Sequence, residues 1–274
     1  MRSDIRLASE RDIPDLCAIW QSCFSDPEDY IQYFYRENFH RISVPVYTVD
    51  DRPVSMFHLL DATFADGPDR YPVRFAYAGG TLSAFRCNGI FRTLLLSAAQ
   101  AAKEGGYGIF FKPTPRLLEY YAALGFAADS RFRLFAAEPD AQKDISFSPI
   151  SAEEYNRLRN AAFSARPFAE WPDAHVRWCV DENAFCGGQT LSLTLEGSAH
   201  FLMGYPAGAV LRVVETDLSP EQLRLAAAAL CERFAVTRLE AYLPEEVCPE
   251  GTAVVSSCVY NAPLRHTYAN LLLF

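Results

Sequence analysis

The sequence predicts a mixed α/β (α+β) protein built from two tandem units, and three features predict it. Apolar runs of strand length alternate with amphipathic stretches of helix length through the first half. A polar segment carrying a proline, 138–144, then divides the chain into units 1–140 and 144–274. Beyond it the same order of elements returns, although residue identity does not.

The first unit opens with a strand at 4–7. Ile13, Leu16, Cys17, Ile19 and Trp20 recur at helical spacing over 12–23, and Pro14 suits a first turn. A second helix at 28–38 follows the Asp26-Pro27 break. Strands at 46–49 and 54–60 flank Asp51-Arg52-Pro53, and a third at 72–82 follows the turn Asp66-Gly67-Pro68. Ile90, Leu94, Leu95, Ala98 and Ala102 share one face of a helix at 89–104 that Gly105-Gly106 closes. A buried strand at 108–111, a helix at 117–124 and a strand region at 126–137 complete the unit.

In the second unit, helices are predicted at 152–163 and 173–180, with strands at 190–195, 199–203 and 209–216. Ser219, Pro220 and Gln222 combine an N-cap, a first-turn proline and a capping-box glutamine for a helix ending near Phe234. A strand at 238–243 follows. The apolar tail at 270–274 reads first as a strand completing the second sheet.

Composition narrows the function. Half of the 274 residues are apolar and 22% are charged, which suits a globular protein with a real core. No run of about 18 apolar residues occurs, so no membrane partner is expected. The charged N-terminus lacks the apolar region of a signal peptide, and a cytoplasmic location is expected. Net charge is −9 and both halves are acidic, which disfavours nucleic acid and mildly favours a cationic substrate. The eight cysteines form no C-x-x-C pair and no zinc-ligand spacing with histidine, so no metal is expected.

The chemistry concentrates in two stretches. The first runs from Tyr77 to Arg92, from strand through loop into helix. A loop entering a helix offers unpaired N–H groups and the positive end of the helix dipole, a setting for a diphosphate. Gly89 leaves the backbone approachable, and Arg86 and Arg92 supply charged donors. One glycine and two arginines also suit an ordinary turn with solvated side chains. The second stretch, Pro113 to Phe126, places a helix, a glycine stop and a strand immediately after that unit.

Together the two stretches resemble the GNAT (GCN5-related N-acetyltransferase) superfamily over residues 4–137. Its cofactor signature, Arg/Gln-x-x-Gly-x-Gly/Ala, is similar to Arg86-Cys87-Asn88-Gly89-Ile90-Phe91, and its Tyr-x-x-x-Gly-Phe signature matches Tyr121 to Phe126. The resemblance implies tandem GNAT-like domains, each a mixed, splayed sheet flanked by helices: a catalytic first domain and a degenerate second one. It implies acetyl-CoA as co-substrate, with the pantetheine arm between Ala78, Gly79, Gly80 and Thr81 on one strand and 111–113 on the other. Arg86, Cys87, Asn88, Gly89, Phe91 and Arg92 form the implied diphosphate loop. The acceptor would be a primary amine of a small molecule, attacking the thioester directly, with Tyr121 protonating the departing thiolate.

Tyr121 also suits simple packing beside Tyr120 and Phe126. Phe91 departs from the small residue of the signature, and Cys87 and Asn88 stand where many relatives carry a glycine and a base. These departures keep open an alternative, an acyl-CoA-binding pseudoenzyme acting as a sensor or scaffold. No carboxylate occurs at 74–81 or 110–115, so the base is unassigned. Glu28, Asp29, Asp61, a water relay and the C-terminal carboxylate of Phe274, a device of some tandem members of the superfamily, stay open. On the acceptor side Trp20, Phe24, Tyr30, Tyr33 and Phe34, interleaved with Asp26, Glu28 and Asp29, suit a cation or pack the first two helices. Trp171, Trp178, Asp181 and Glu182 either border that cleft or fill a helix pair. The second unit lacks the arginine–glycine loop after Thr216 and is not expected to bind coenzyme A.

Overall fold

The computed structural model describes residues 2–140, 145–250, 252–263 and 265–271. In chain order the first half contains β1 (Ser3–Leu7), α1 (Ile13–Cys23), α2 (Glu28–Asn38), β2 (Pro45–Val49), β3 (Arg52–Asp66), β4 (Asp69–Thr81), α3 (Ile90–Gly105), β5 (Gly108–Phe111), α4 (Leu118–Ala123), β6 (Ala127–Ala128) and β7 (Arg131–Ala137). The second half contains β8 (Ser146–Pro149), α5 (Ala152–Phe163), β9 (Phe168–Glu170), α6 (Asp173–Phe185), β10 (Gln189–Leu195), β11 (Ser198–Ala207), β12 (Val210–Thr216), α7 (Pro220–Phe234), β13 (Arg238–Pro244), β14 (Ala253–Val255) and β15 (Cys258–Tyr260). No helix among the described residues is long and apolar enough to cross a membrane.

Two mixed sheets organise these elements, as the alternating pattern predicts. The first runs β1-β2-β3-β4-β5-β15-β6, with β9 also pairing β3; the second runs β14-β7-β13-β12-β11-β10-β8. Strand β3 is buried over almost its whole length because α1 covers one part of the sheet and α3 another. Its Val54, Met56, Phe57, Leu59, Leu60 and Phe64 read accordingly as a near-continuous apolar run. Each sheet repeats one strand–helix–parallel strand unit: β4-α3-β5 in the first and β12-α7-β13 in the second.

The sheets do not divide at 138–144. Strand β7 belongs to the second sheet, and β15, from near the end of the chain, sits between β5 and β6 of the first. The predicted strand region 126–137 is thus two strands in different sheets. The crossing is pinned where the two segments pass: Asp129 N donates to Ser257 O at 2.9 Å and Ser256 N to Ser130 O at 2.8 Å. The Asp129 carboxylate accepts the N–H groups of His266 and Thr267 at 2.9 and 3.0 Å. Exchange pairs β5, which would otherwise end the sheet with unmatched N–H and C=O groups. The predicted tail strand is not formed at Asn270 and Leu271, and 272–274 lie outside the described residues.

One apolar core runs from the first sheet through α2 and α6 to Phe201 and Met203 of β11. A second lies under α7. In the wall between the sheets, the buried Arg159 of α5 binds Glu215 of β12 at 2.9 Å. Tyr155 donates to the same carboxylate oxygen at 3.0 Å. The two ions neutralise one another in a place water does not reach.

Candidate active site

The site begins with an irregularity in β4. Its pairing with β3 slips between Met56 and His58, so Ala78 and Gly79 bulge opposite Phe57. Ala78 takes φ of 46°, a left-handed backbone that a non-glycine residue adopts only when its surroundings hold it there. Strands β4 and β5 pair over Val73–Phe75 and Gly108–Phe110, then diverge. A cleft of about 870 Å³ opens at the divergence. Residues 75–79 of β4 form one wall, and Phe111, Lys112, Pro113, Thr114 and Tyr121 form the other.

The four strand residues assigned to the pantetheine arm separate into two pairs. Ala78 and Gly79 line the cleft. Gly80 and Thr81 turn into the body of the domain: Gly80 O accepts Ser55 Oγ at 2.9 Å and Thr81 O accepts Arg86 Nε at 2.9 Å. Gly80 is needed for a different contact, since a Cβ there would lie 2.6 Å from Cys23 Sγ of α1.

In the loop 86–92, residues 86–89 and 92 are exposed, and Phe91 brings the loop to the cleft wall. Arg86 does not reach into the loop: Nε binds Thr81 O, Nη2 donates to Ser22 O at 2.7 Å and also meets Cys23 Sγ. It ties the loop to α1 and β4. Asn88 Nδ2 turns back onto Arg86 O at 3.1 Å. Cys87 and Gly89 both take left-handed φ, 63° and 71°, and a Cβ at Gly89 would meet nothing within 4 Å. Gly89 is therefore favoured by its dihedral alone, and the space beside it is open.

Gly89 is the N-cap of α3 and has no side chain to accept the free N–H groups of the first turn, while Thr93 N makes the first backbone bond back to Gly89 O. The equivalent helix in the second half is closed. There Ser219 Oγ accepts Gln222 N at 3.2 Å and Gln222 Oε1 accepts Ser219 N at 2.9 Å, as the capping box predicts. One helix start is open to an anion and the other is internally satisfied.

Phe91 turns off the loop. Its ring lies over Gly79, with Cζ 2.8 Å from the place a Cβ would take, and meets Phe57 edge-on at 6.2 Å. It lines the cleft as an apolar wall.

Tyr121, on α4, is half-buried with its ring edge-on to Phe111 at 4.5 Å. Burial, then the neighbouring Tyr120 and Cys258, push its phenol above the ordinary range, so the proton stays on at neutral pH. Lys112 is wetted by the cleft yet surrounded by its walls, and that desolvation lowers its pKa.

Lys112 and Pro113 also line a second cavity of about 410 Å³. It sits where β12 and β13 diverge after pairing over Val210–Val213 and Arg238–Ala241. Asn270 Nδ2 donates to Val214 O there at 2.7 Å, so a segment of the chain itself bonds the parted strand.

The residues assigned to the acceptor side do not form one wall. Trp20 and Phe24 line the first cleft, and Trp20 Nε1 donates to Asp26 at 2.7 Å. Phe34 is core. Tyr33 stacks on Phe185 and leans on Trp178 of α6. Tyr30 donates its hydroxyl to Glu182 of α6 and lies 3.4 Å from the Tyr77 hydroxyl. Neither Glu28 nor Asp29 lines either of these two cavities; both are exposed at the start of α2. Asp61 is exposed and pairs with Arg74 at 3.0 Å. The carboxylate of Phe274 lies outside the described residues. Of the second-half candidates, Glu182 lines the second cavity, whereas Trp171 and Trp178 are core. Among the described residues no cluster of three or more His, Cys, Asp or Glu is placed to hold a metal.

Sequence reasoning did not single out Lys112 or Tyr77 as functional side chains. No motif marks them; only the divergence of the strands brings them to the cleft.

Comparison with solved structures places the whole architecture. A GCN5-related N-acetyltransferase from Anabaena variabilis superposes with a TM-score of 0.71 at 13% identity, covering 94% of this chain and 72% of that one. One from Kribbella flavida gives 0.67 at 16%, covering 94% and 70%. Eis1 from Mycobacterium abscessus gives 0.64 at 13%, covering 94% and 73%. No protein-family model matches the sequence, and no curated protein matches it. At these identities the likeness is one of fold: both sheets together have the architecture of tandem GNAT-like domains.

Proposed function

We propose that the chain is an N-acetyltransferase that moves an acetyl group from acetyl-CoA to a primary amine of a small molecule. The observation that carries this is the cleft between β4 and β5, lined by Phe91 from the first turn of an uncapped helix and by a protonated tyrosine. The free N–H groups at Gly89–Arg92 suit a diphosphate, and the bulge at Ala78 and Gly79 presents backbone to the extended arm behind it. Acetyl-CoA supplies an activated acetyl as a thioester. Tyr121 holds the proton that the departing sulfur needs, and Phe57, Phe75, Phe91 and Phe111 keep that part of the cleft apolar.

Thermal-shift titration and thiol release test this directly. Saturating acetyl-CoA, at a hundred times its dissociation constant, should add about 2.7 kcal/mol of stability. Thiol release is then followed with tyramine, histamine, spermidine and lysine amide. Absence of both signals would remove the proposal. A thermal shift without turnover would favour the acyl-CoA-binding pseudoenzyme. The position of Phe91 weakens that alternative, because its ring lies against Gly79 rather than across the loop's N–H groups.

A further inference from the structure

Glu182 sits in the wall between the two halves, and its surroundings call for an explanation. It is 1% exposed, yet one oxygen, Oε2, has no hydrogen-bond partner. A structural carboxylate buried to this degree is ordinarily bonded through both oxygens, because an unmatched one carries the full desolvation cost. The other oxygen accepts the Tyr30 hydroxyl, and Tyr30 stands 3.4 Å from Tyr77. Tyr77 lines the cleft that holds Tyr121. A file of three oxygens thus leads from that cleft to a buried carboxylate on α6. Among the described residues Asp26 is the one carboxylate that lines that cleft, and it already accepts the Trp20 indole.

We propose that Glu182, supplied by the second half of the chain, is the proton acceptor for the attacking amine, reached from the cleft through Tyr77 and Tyr30. The assignment rests on the acetyl-transfer reading above. The amine nitrogen forms the C–N bond to the acetyl carbon as the C–S bond breaks, and the thiolate takes the Tyr121 proton. The proton lost by nitrogen enters Tyr77, whose own proton passes to Tyr30, whose proton passes to Glu182. Both tyrosines end neutral, Glu182 ends as the acid, and exchange with solvent resets Glu182 and Tyr121. The 3.4 Å step is long for a hydroxyl pair in the free protein, as relay contacts often are before substrate draws them together.

The electrostatics suit an acceptor that works near neutrality. Desolvation first, and then the charge of Asp26, raise the Glu182 carboxyl to about 7 against the lowering effect of Tyr30. Tyr77 faces it from β4 and Tyr205 from β11; Cys179 lies on its own helix and Cys186 just past that helix's end. The cations of the adjoining cavity are Lys112 and Arg212, the latter already paired with Glu240. Tyr33, one turn along α2 from Tyr30, feels the same charge.

The test uses acetyl-CoA and whichever of the four amines releases thiol, with kcat/KM followed from pH 5.5 to 9. The expected wild-type profile bends near pH 7, and Glu182→Gln loses both the bend and ~10²-fold or more of the rate. Its rate should then climb without a bend until the amine's own pKa. Tyr30→Phe leaves the carboxylate in place and should show a similar loss with the same acetyl-CoA thermal shift as wild type. A Glu182→Gln enzyme that keeps the bend overturns the assignment, and so does a Tyr30→Phe enzyme with wild-type rate and profile. No thiol release by wild type with any amine removes acetyl transfer itself, and the assignment with it.

Discussion

The Phe91 ring lies directly on Gly79, so no side chain fits at Gly79 unless the ring moves. A Cβ on Gly79 would stand 2.8 Å from Phe91 Cζ and 2.9 Å from Cε2. The aromatic residue in the cofactor loop and the glycine in β4 form one packing unit across the cleft. Gly79→Ala should push the ring toward the space of the pantetheine arm and weaken acetyl-CoA binding about tenfold or more. Adding Phe91→Ala should recover much of that loss, with a coupling of about 0.5–3 kcal/mol by calorimetric titration. Strict additivity of the two substitutions would disprove the contact.

Tyr121→Phe keeps the ring against Phe111 and removes only the hydroxyl. Turnover should fall ~10²-fold or more while the acetyl-CoA dissociation constant stays as in wild type. An unaffected kcat would transfer the acid role to another group.

Arg86 and Arg92 should separate by mechanism. Arg86 fastens the loop through Thr81 O and Ser22 O, whereas Arg92 is exposed on the first turn of α3. Arg86→Ala is expected to lower Tm and to weaken acetyl-CoA binding without changing its salt dependence. Arg92→Ala should weaken binding and flatten the salt dependence, because it removes a charge that salt screens. Binding isotherms at two ionic strengths distinguish the two.

Two buried histidines make the fold acid-sensitive. Desolvation lowers His58 to about 4 and His175 to about 3, with partly offsetting hydrogen bonds to Tyr77 O and Leu271 O. Below pH 6.5 the unfolded chain binds these protons while the folded one does not, so stability falls as pH drops from 6.5 toward 4. Each group contributes roughly 2–4 kcal/mol across that window. Glu182 runs the other way: its raised pKa lets the folded state keep a proton between about 4.5 and 7, so its share of stability declines as pH rises there. Two groups against one leave a net gain toward neutrality. Urea midpoints at pH 4.5, 5.5 and 6.5 should rise in that order, and His58→Gln should reduce the slope. A flat series would show that these histidines are protonated in the fold.

Most helices were legible because they carry a periodic face and a stop; α6, predicted over 173–180, runs on to Phe185 because no stop residue follows until Gly187. The apolar set from Ile90 to Ala102 closes at Gly106 with left-handed φ of 71°, and the predicted span of 152–163 is reproduced by α5. Short strands were not legible. Strands β9, β14 and β15 have three residues each, too few for an alternating pattern, and their partners lie far away in sequence.

The loop before α3 was legible as a place, since Gly89 and the helix start are local features. The orientation of its side chains was not. Arg86 looked like a ligand donor from its position beside Gly89, and its partners Ser22 and Thr81 come near only when α1 packs on β4.

By itself the sequence determined what depends on neighbours along the chain: a mixed α/β pattern, a strand–helix–strand order that recurs in the second half, an uncapped helix after Gly89, a capped one after Ser219 and a tyrosine six residues after Pro115. Tertiary structure decided what depends on residues far apart. It placed β15 beside β5 and β7 beside β13, turned Phe91 onto Gly79, and set Glu182 of the second half against Tyr30 of the first. Backbone propensity and capping act within a few residues, and a sequence displays them. Desolvation and hydrogen bonding across 152 residues exist only after the sheets have closed on one another.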